Sequence, residues 1–326
     1  MAKRMKYHPH GSVLFCTFTL EEGLLLLSNP LCLAIIQSCL ARAQALCPVK
    51  VSHILTEATH VHLIIVVDNP DDVSGFIRNF KVESAHMLNR LLGRDKRTVW
   101  CEGYDSPIVL TPIRALAAIA YLYANPAKDN LEKSIDLYPG FSSWKMFLKG
   151  NLVASWKRLR RFQFHKLRES DHCLDGYTRE AHRLLTESDD RQHFILEPNA
   201  WMEAFGIHHP EEQKRVNTRL IERIRALEQR AERLRKKTGK TVLGRIRMLH
   251  ERLSTTHRSQ RSGRRMWCLS EKRSVRVRFI SFFKQLMRKA RSVRQLWLTG
   301  DMTVKYPPGL YPPSMPKLAN VLAIGC

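Results

Sequence analysis

Between residues 13 and 20 one set of side chains, Leu14, Cys16, Phe18 and Leu20, alternates with another, Val13, Phe15, Thr17 and Thr19. That period of two predicts a β-strand. From Asn29-Pro30 the period lengthens, with Leu33, Ile36, Leu40, Ala43 and Leu46 three and four residues apart, which predicts a helix that Pro48 closes. Val49–Thr56 and His60–Val67 return to the strand pattern, the second with a continuous apolar run from Leu63 to Val67. Asn69-Pro70-Asp71 makes a turn, and an amphipathic helix follows from about Asp72 to Leu92. Val99-Trp100 and Ile108-Val109-Leu110 suit short strands and loops around Gly103 and Pro107. Thr111-Pro112 combines an N-cap with a first-turn proline, so a helix is expected from there to about Asn125, ending at Pro126. Strands and helices in this order imply an α+β fold, an antiparallel sheet with helices on one face.

The pattern changes beyond residue 150. Residues 151–209 are mixed, with Trp156, Phe162, Phe164, Phe194 and Trp201 as expected apolar anchors. Glu211–Lys237 reads as one long helix whose Val216, Leu220, Ile224, Leu227, Ala231 and Leu234 approach a heptad seam. About three heptads favour packing within the chain over a dimer zipper, and a homodimer stays open as the alternative. Thr238-Gly239-Lys240 breaks that helix, more basic helix follows to about Leu298, and a Pro-rich tail closes the pattern. The expected organisation is a first unit at 1–150 and a basic, mostly helical unit at 151–326.

Charge sharpens this division. The 326 residues carry 54 Lys+Arg against 30 Asp+Glu, a net charge of +24. Residues 1–150 hold 16 basic and 13 acidic side chains, and residues 151–326 hold 38 and 17. Between Lys214 and Arg294 the balance is 27 to 5. A stretch so cationic repels itself unless it meets a polyanion, and nucleic acid is the commonest partner. Eight cysteines without a CxxC spacing read as reduced thiols of a cytoplasmic, nucleoid-associated protein. No apolar run is long enough to span a membrane, and residues 1–20 lack a secretory signal.

Candidate chemistry lies in the first unit. In His60-Val61-His62 the two imidazoles leave a strand on one face, where they can grip one divalent cation. Tyr121 and Asn125, four residues apart on the helix opened by Thr111-Pro112, share a face as a candidate nucleophile and third ligand, while Tyr123 points elsewhere.

With Phe80-Lys81, Asn89, Trp100 and Tyr104 between them, these pieces resemble the single-tyrosine HUH transposases, and within them the REP-associated tyrosine transposases. His60-Val61-His62 stands as the His-hydrophobe-His triplet and Tyr121-Leu122-Tyr123-Ala124-Asn125-Pro126 as the Tyr-hydrophobe-x-x-Asn-Pro motif. The likeness spans roughly residues 10–150. Ala58-Thr59 departs from the Pro-Asn usual before the first histidine.

The resemblance implies a ferredoxin-like HUH domain in which His60, His62 and Asn125 hold Mg²⁺ or Mn²⁺ and Tyr121 is the nucleophile. Tyr121 would form a covalent 5′-phosphotyrosine on single-stranded or hairpin DNA, cutting and rejoining strands in DNA transposition. Lys81, and more weakly Arg78, would contact substrate phosphate. The alternative is a non-catalytic nucleic-acid-binding protein that keeps the fold.

Other signals carry less. Glu57, three residues before His60, is expected in a solvent-facing turn. Gly239-Lys240-Thr241 lacks the earlier glycine and strand of a phosphate-binding loop. His8, His10, His165, His172, Cys173, His208 and His209 lack partners at zinc spacing.

Overall fold

A computed structural model describes residues 6–94, 97–164, 174–187, 189–253, 255–257 and 266–313. The discounted His165, His172 and Cys173 lie outside the described residues. The first half runs β1 (Val13–Thr19), α1 (Pro30–Leu46), β2 (Lys50–Glu57), β3 (His60–Val66), α2 (Pro70–Leu91), β4 (Ile108–Val109), α3 (Pro112–Lys128) and α4 (Trp144–Lys149). Then follow β5 (Val153–Lys157), α5 (Leu174–Thr186), β6 (Arg191–Ile195), α6 (Ala200–Glu203), α7 (Pro210–Thr238), α8 (Arg245–Leu249), β7 (Cys268–Leu269) and α9 (Arg273–Leu298).

Three helices start as polar-residue-plus-proline pairs dictate. Asn29 accepts from the amides of Leu31 and Cys32, Asn69 from Asp71, and Thr111 from Arg114, each ahead of a proline at the first helical position. The second helix therefore begins at Pro70 rather than Asp72.

The main sheet has the order β2-β3-β1-β4-β7, antiparallel except for the β4–β7 pair, and β5–β6 forms a separate hairpin. Helices α1 and α2 cover one face of the main sheet, as expected. Val61, Leu63 and Ile65 are buried there with Ile36, Phe76 and Phe80. The other face is covered too. Leu55, Ile64 and Val66 pack with Ile119 and Leu122 of α3 and with Leu220 and Ile224 of α7. The seam on α7 is thus packed within the chain from Val216 to Leu227, with Ala231 also buried, whereas Leu234 is exposed. Each such fully buried aliphatic side chain is worth roughly 1.5–3 kcal/mol.

Chain beyond residue 150 is built into this body. Besides α7, strand β7 extends the sheet through β4, and the β5–β6 hairpin packs on α1. Of the expected anchors there, Phe164, Phe194 and Trp201 are buried, whereas Phe162 is exposed. No helix among the described residues is long and apolar enough to cross a membrane. The six described cysteines are free thiols.

The expected stop at Pro126 is corrected: α3 continues to Lys128. The proline removes one N–H from the helix ladder, but the turn after it is closed from outside. Asp129 N–H donates to Asn125 O (2.8 Å), and the Leu131 and Glu132 amides donate to Pro126 O (2.9 and 3.1 Å). Arg235, buried on α7, donates to Ala127 O at 2.5 Å and caps the same helix end.

Candidate active site

A two-residue turn, Ala58-Thr59, joins β2 to β3 and sets Glu57 directly across from His60. Paired residues of an antiparallel ladder share a sheet face. Glu57 is therefore not a solvent-facing turn residue. It ends β2, 2% exposed, beside both histidines. Its Oε2 lies 3.1 Å from His60 Nε2 and 3.8 Å from His62 Nε2. One ligand atom from each of Glu57, His60 and His62 falls within 4.8 Å of the other two. The imidazoles stand edge to face, with centroids 4.5 Å apart.

Neighbouring strands orient the rings. Thr17, paired with His62 across β1, places its hydroxyl 2.9 Å from His62 Nδ1. Phe15 stacks on the same ring at 5.3 Å. Thr59 Oγ1 lies 3.1 Å from His60 Nδ1, so the departure at that position still supplies a partner. With the Nδ1 protons donated to these hydroxyls, both Nε2 lone pairs face Glu57.

Helix α3 lies on the histidine face. Tyr121, Asn125 and Lys128 fall at i, i+4 and i+7, one stripe of that helix. Tyr121 is 41% exposed and Asn125 is 1% exposed. Lys128 donates to the Tyr121 hydroxyl at 3.0 Å, sits 4.6 Å over its ring, and pairs with Asp129 at 3.0 Å. Burial pulls the Lys128 ammonium down, but the Tyr121 hydroxyl and the Asp129 carboxylate outweigh it and raise its pKa. Tyr123 takes the opposite course. It is fully buried, its hydroxyl lies 2.9 Å from His53 Nδ1 and 2.7 Å from Ser143 Oγ, and burial pushes its phenol far up.

Several buried polar atoms of the cluster and of α3 are short of donors. Glu57 Oε1 and Oε2, His62 Nε2 and Asn125 Oδ1 are buried without hydrogen-bond partners among the described residues. Each such acceptor costs free energy when left dry. Burial raises the Glu57 carboxyl, partly offset by His60. Burial, then His60 and Lys128, hold His62 well below its ordinary value. A carboxylate and two imidazoles this close together could hold a metal ion.

No protein-family model matches the chain, and no curated protein matches it. Among solved structures it is similar to a REP-associated tyrosine transposase bound to a REP hairpin. That likeness has a TM-score of 0.40 at 18% identity and covers 46% of this chain and 87% of the other.

The remaining motif residues lie on α2 or its loop, across the sheet from α3. Lys81 donates to the carbonyls of Cys101 (2.6 Å) and Gly103 (2.7 Å), and burial lowers its pKa. Arg78 is exposed on the same helix. Phe80 packs with Phe18 and Trp100, Trp100 Nε1 donates to Ser84, and Asn89 donates to Arg97 O. The structure brings His60 and His62 together with Glu57 and aligns Tyr121 with Asn125, but sets Lys81 and Arg78 on the opposite layer. The length of the 58–59 turn was the signal for Glu57, and i+7 spacing from Tyr121 the signal for Lys128.

Proposed function

We propose that the protein is a metal-dependent DNA strand transferase of the HUH transposase type, acting on unpaired DNA beside a hairpin. The observation that carries this reading is the set of buried, donorless acceptors of Glu57, His62 and Asn125 on the face that α3 covers with an exposed tyrosine. Glu57, His60, His62 and Asn125 would hold Mg²⁺ or Mn²⁺. When bound, the cation supplies Lewis-acid polarisation of the scissile phosphate.

Tyr121 is the nucleophile. Its phenol loses a proton to solvent, its Oη forms a bond to phosphorus, and the P–O3′ bond breaks, the leaving 3′-oxygen taking a proton from solvent to become a 3′-OH. The product is a 5′-phosphotyrosine. A 3′-OH attacking that phosphorus reverses the exchange and rejoins a strand, so no outside energy source is needed. Lys128, 3.0 Å from Oη, stabilises the negative charge that gathers on the phenol oxygen. Glu57, with Thr17 and Thr59, fixes the two imidazoles. The basic surface beyond residue 210 supplies affinity for phosphates with little sequence information.

The test is a pool of single-stranded hairpins with varied flanks, labelled at the 3′ end, mixed with the protein and Mn²⁺. A labelled band that survives denaturant, and is lost with EDTA or in Tyr121→Phe, is the expected result. Tight binding with no adduct from any strand would sink the enzyme reading in favour of a non-catalytic DNA-binding protein.

A further inference from the structure

Two cavities meet beside this site, and the chain after residue 226 forms a wall of each. The smaller, about 450 Å³, opens at Tyr121. Its floor is Leu227, Ala231 and Leu234 of α7, and Leu234 is 61% exposed despite being apolar. The larger, about 940 Å³, opens at Glu57 and His60 and runs towards Arg247 and Met248 of α8. Lys128, Asn130 and Lys240 line both, so they mark the junction. The wall is pinned in place: Leu243 N–H donates to Asn130 O at 2.8 Å and Gly244 N–H to Leu131 O at 2.9 Å.

Three cations of this wall are unpaired. Arg230, Lys240 and Arg247 are exposed at the rims and have no acidic partner at ion-pair distance among the described residues. Asp129 and Glu251 also line the larger cavity, and Asp129 is paired with Lys128. A cationic rim over an apolar floor suits an unpaired nucleotide strand, whose phosphates take the rim and whose bases take the floor.

We infer that the two cavities form one channel for single-stranded DNA, with the nucleotide downstream of the cut seated on α7 and the upstream strand leaving past His60 towards α8. This rests on the transferase reading. The polarity follows from in-line displacement, in which the attacking and leaving oxygens lie on opposite sides of phosphorus. Tyr121 attacks from the smaller cavity, so the leaving 3′-oxygen and its strand face the larger one. Lys128 and Lys240 flank the phosphate at the junction.

The first experiment measures binding of fluorescein-labelled oligothymidylate by the full chain carrying Tyr121→Phe, at several salt concentrations. Arg230→Ala, Lys240→Ala and Arg247→Ala are each expected to weaken binding several-fold and to flatten the salt slope by about 0.7, the value of one single-strand phosphate contact. Lys240→Arg keeps the slope. Lys145→Ala, which removes one exposed positive charge elsewhere, is the control for net charge. Channel variants indistinguishable from that control overturn the channel; an intact wild-type adduct then leaves the transferase reading standing.

The second experiment places a photoreactive thiothymidine at the first nucleotide of the strand held on Tyr121 in the wild-type adduct. Crosslinks to peptides spanning 227–234 are expected. Crosslinks to 243–257 overturn the polarity, and absence of any adduct removes the underlying transferase reading instead.

Discussion

The two faces of the main sheet differ in how far their polar residues are tied into hydrogen bonds. On the α1/α2 face, Trp100 Nε1 reaches Ser84, Lys81 reaches two carbonyls, and the Asn89 amide reaches Arg97 O. On the α3 face, Glu57, His62 and Asn125 carry buried acceptors without partners among the described residues, and on the other face Asn89 Oδ1 is the one motif atom left so. Residues of one motif set thus divide into those whose donors tie the chain together and those whose acceptors are left open. The same division runs within α3, where Tyr123 is bonded on both sides and Tyr121 faces outward.

The strongest way to break this contrast is to exchange the two tyrosines' roles. Tyr121→Phe is expected to abolish the covalent adduct, a loss of at least about a thousandfold, with the urea midpoint unchanged. Adduct formation by that variant at the wild-type rate would place the nucleophile elsewhere. Phe80→Ala tests the holding face. It should cost about 3–5 kcal/mol in unfolding free energy, by analogy with buried aromatic truncations, while the folded fraction still forms adduct. A stable variant that cannot react would instead give Phe80 a part in the site.

Acidification probes the buried histidines more gently. Burial holds His8 and His53 down to about 3. A histidine with a depressed folded pKa contributes stability that is complete above about 6.5 and lost as pH falls towards 3. By pH 5 each should cost about 2 kcal/mol, which urea denaturation at pH 7 and pH 5 would measure. A midpoint that does not move would contradict the burial of these two rings.

Glu57→Gln addresses the metal directly. In wild type, Mn²⁺ should raise the melting temperature through binding to the folded state. In the variant the metal concentration needed should rise about tenfold or more, while the metal-free protein is no less stable, because a buried charge has been removed. An unchanged Mn²⁺ titration would exclude Glu57 as a ligand. The smallest effect is expected for Tyr123→Phe, about 1–2 kcal/mol from the lost bonds to His53 and Ser143, with adduct formation intact.

Local signals account for what the sequence made legible. Alternation located β1 and β3, and the Asn29-Pro30 and Thr111-Pro112 pairs located the starts of α1 and α3, whereas Asn69-Pro70 was read as a turn ahead of α2. The histidine pair and the Tyr121/Asn125 stripe were readable because strand and helix periods are local geometry. Glu57 was missed because one residue of strand length decides whether a carboxylate faces water or its cross-strand partner. Lys128 was missed because a proline normally ends a helix, and only the amides of 129, 131 and 132 let this one continue. Strand β7 and the α7 cover were illegible for a different reason: they depend on contacts between residues more than a hundred positions apart.

The pinning of Leu243 and Gly244 to Asn130 and Leu131 has a consequence for the timing of synthesis. A ribosome adding roughly 5–20 residues per second needs on the order of ten seconds to travel from one partner to the other. During that interval the histidines, the carboxylate and the tyrosine have all been made, but the cleft has only one side. A nascent chain therefore carries these side chains well before it carries the wall that lies beside them.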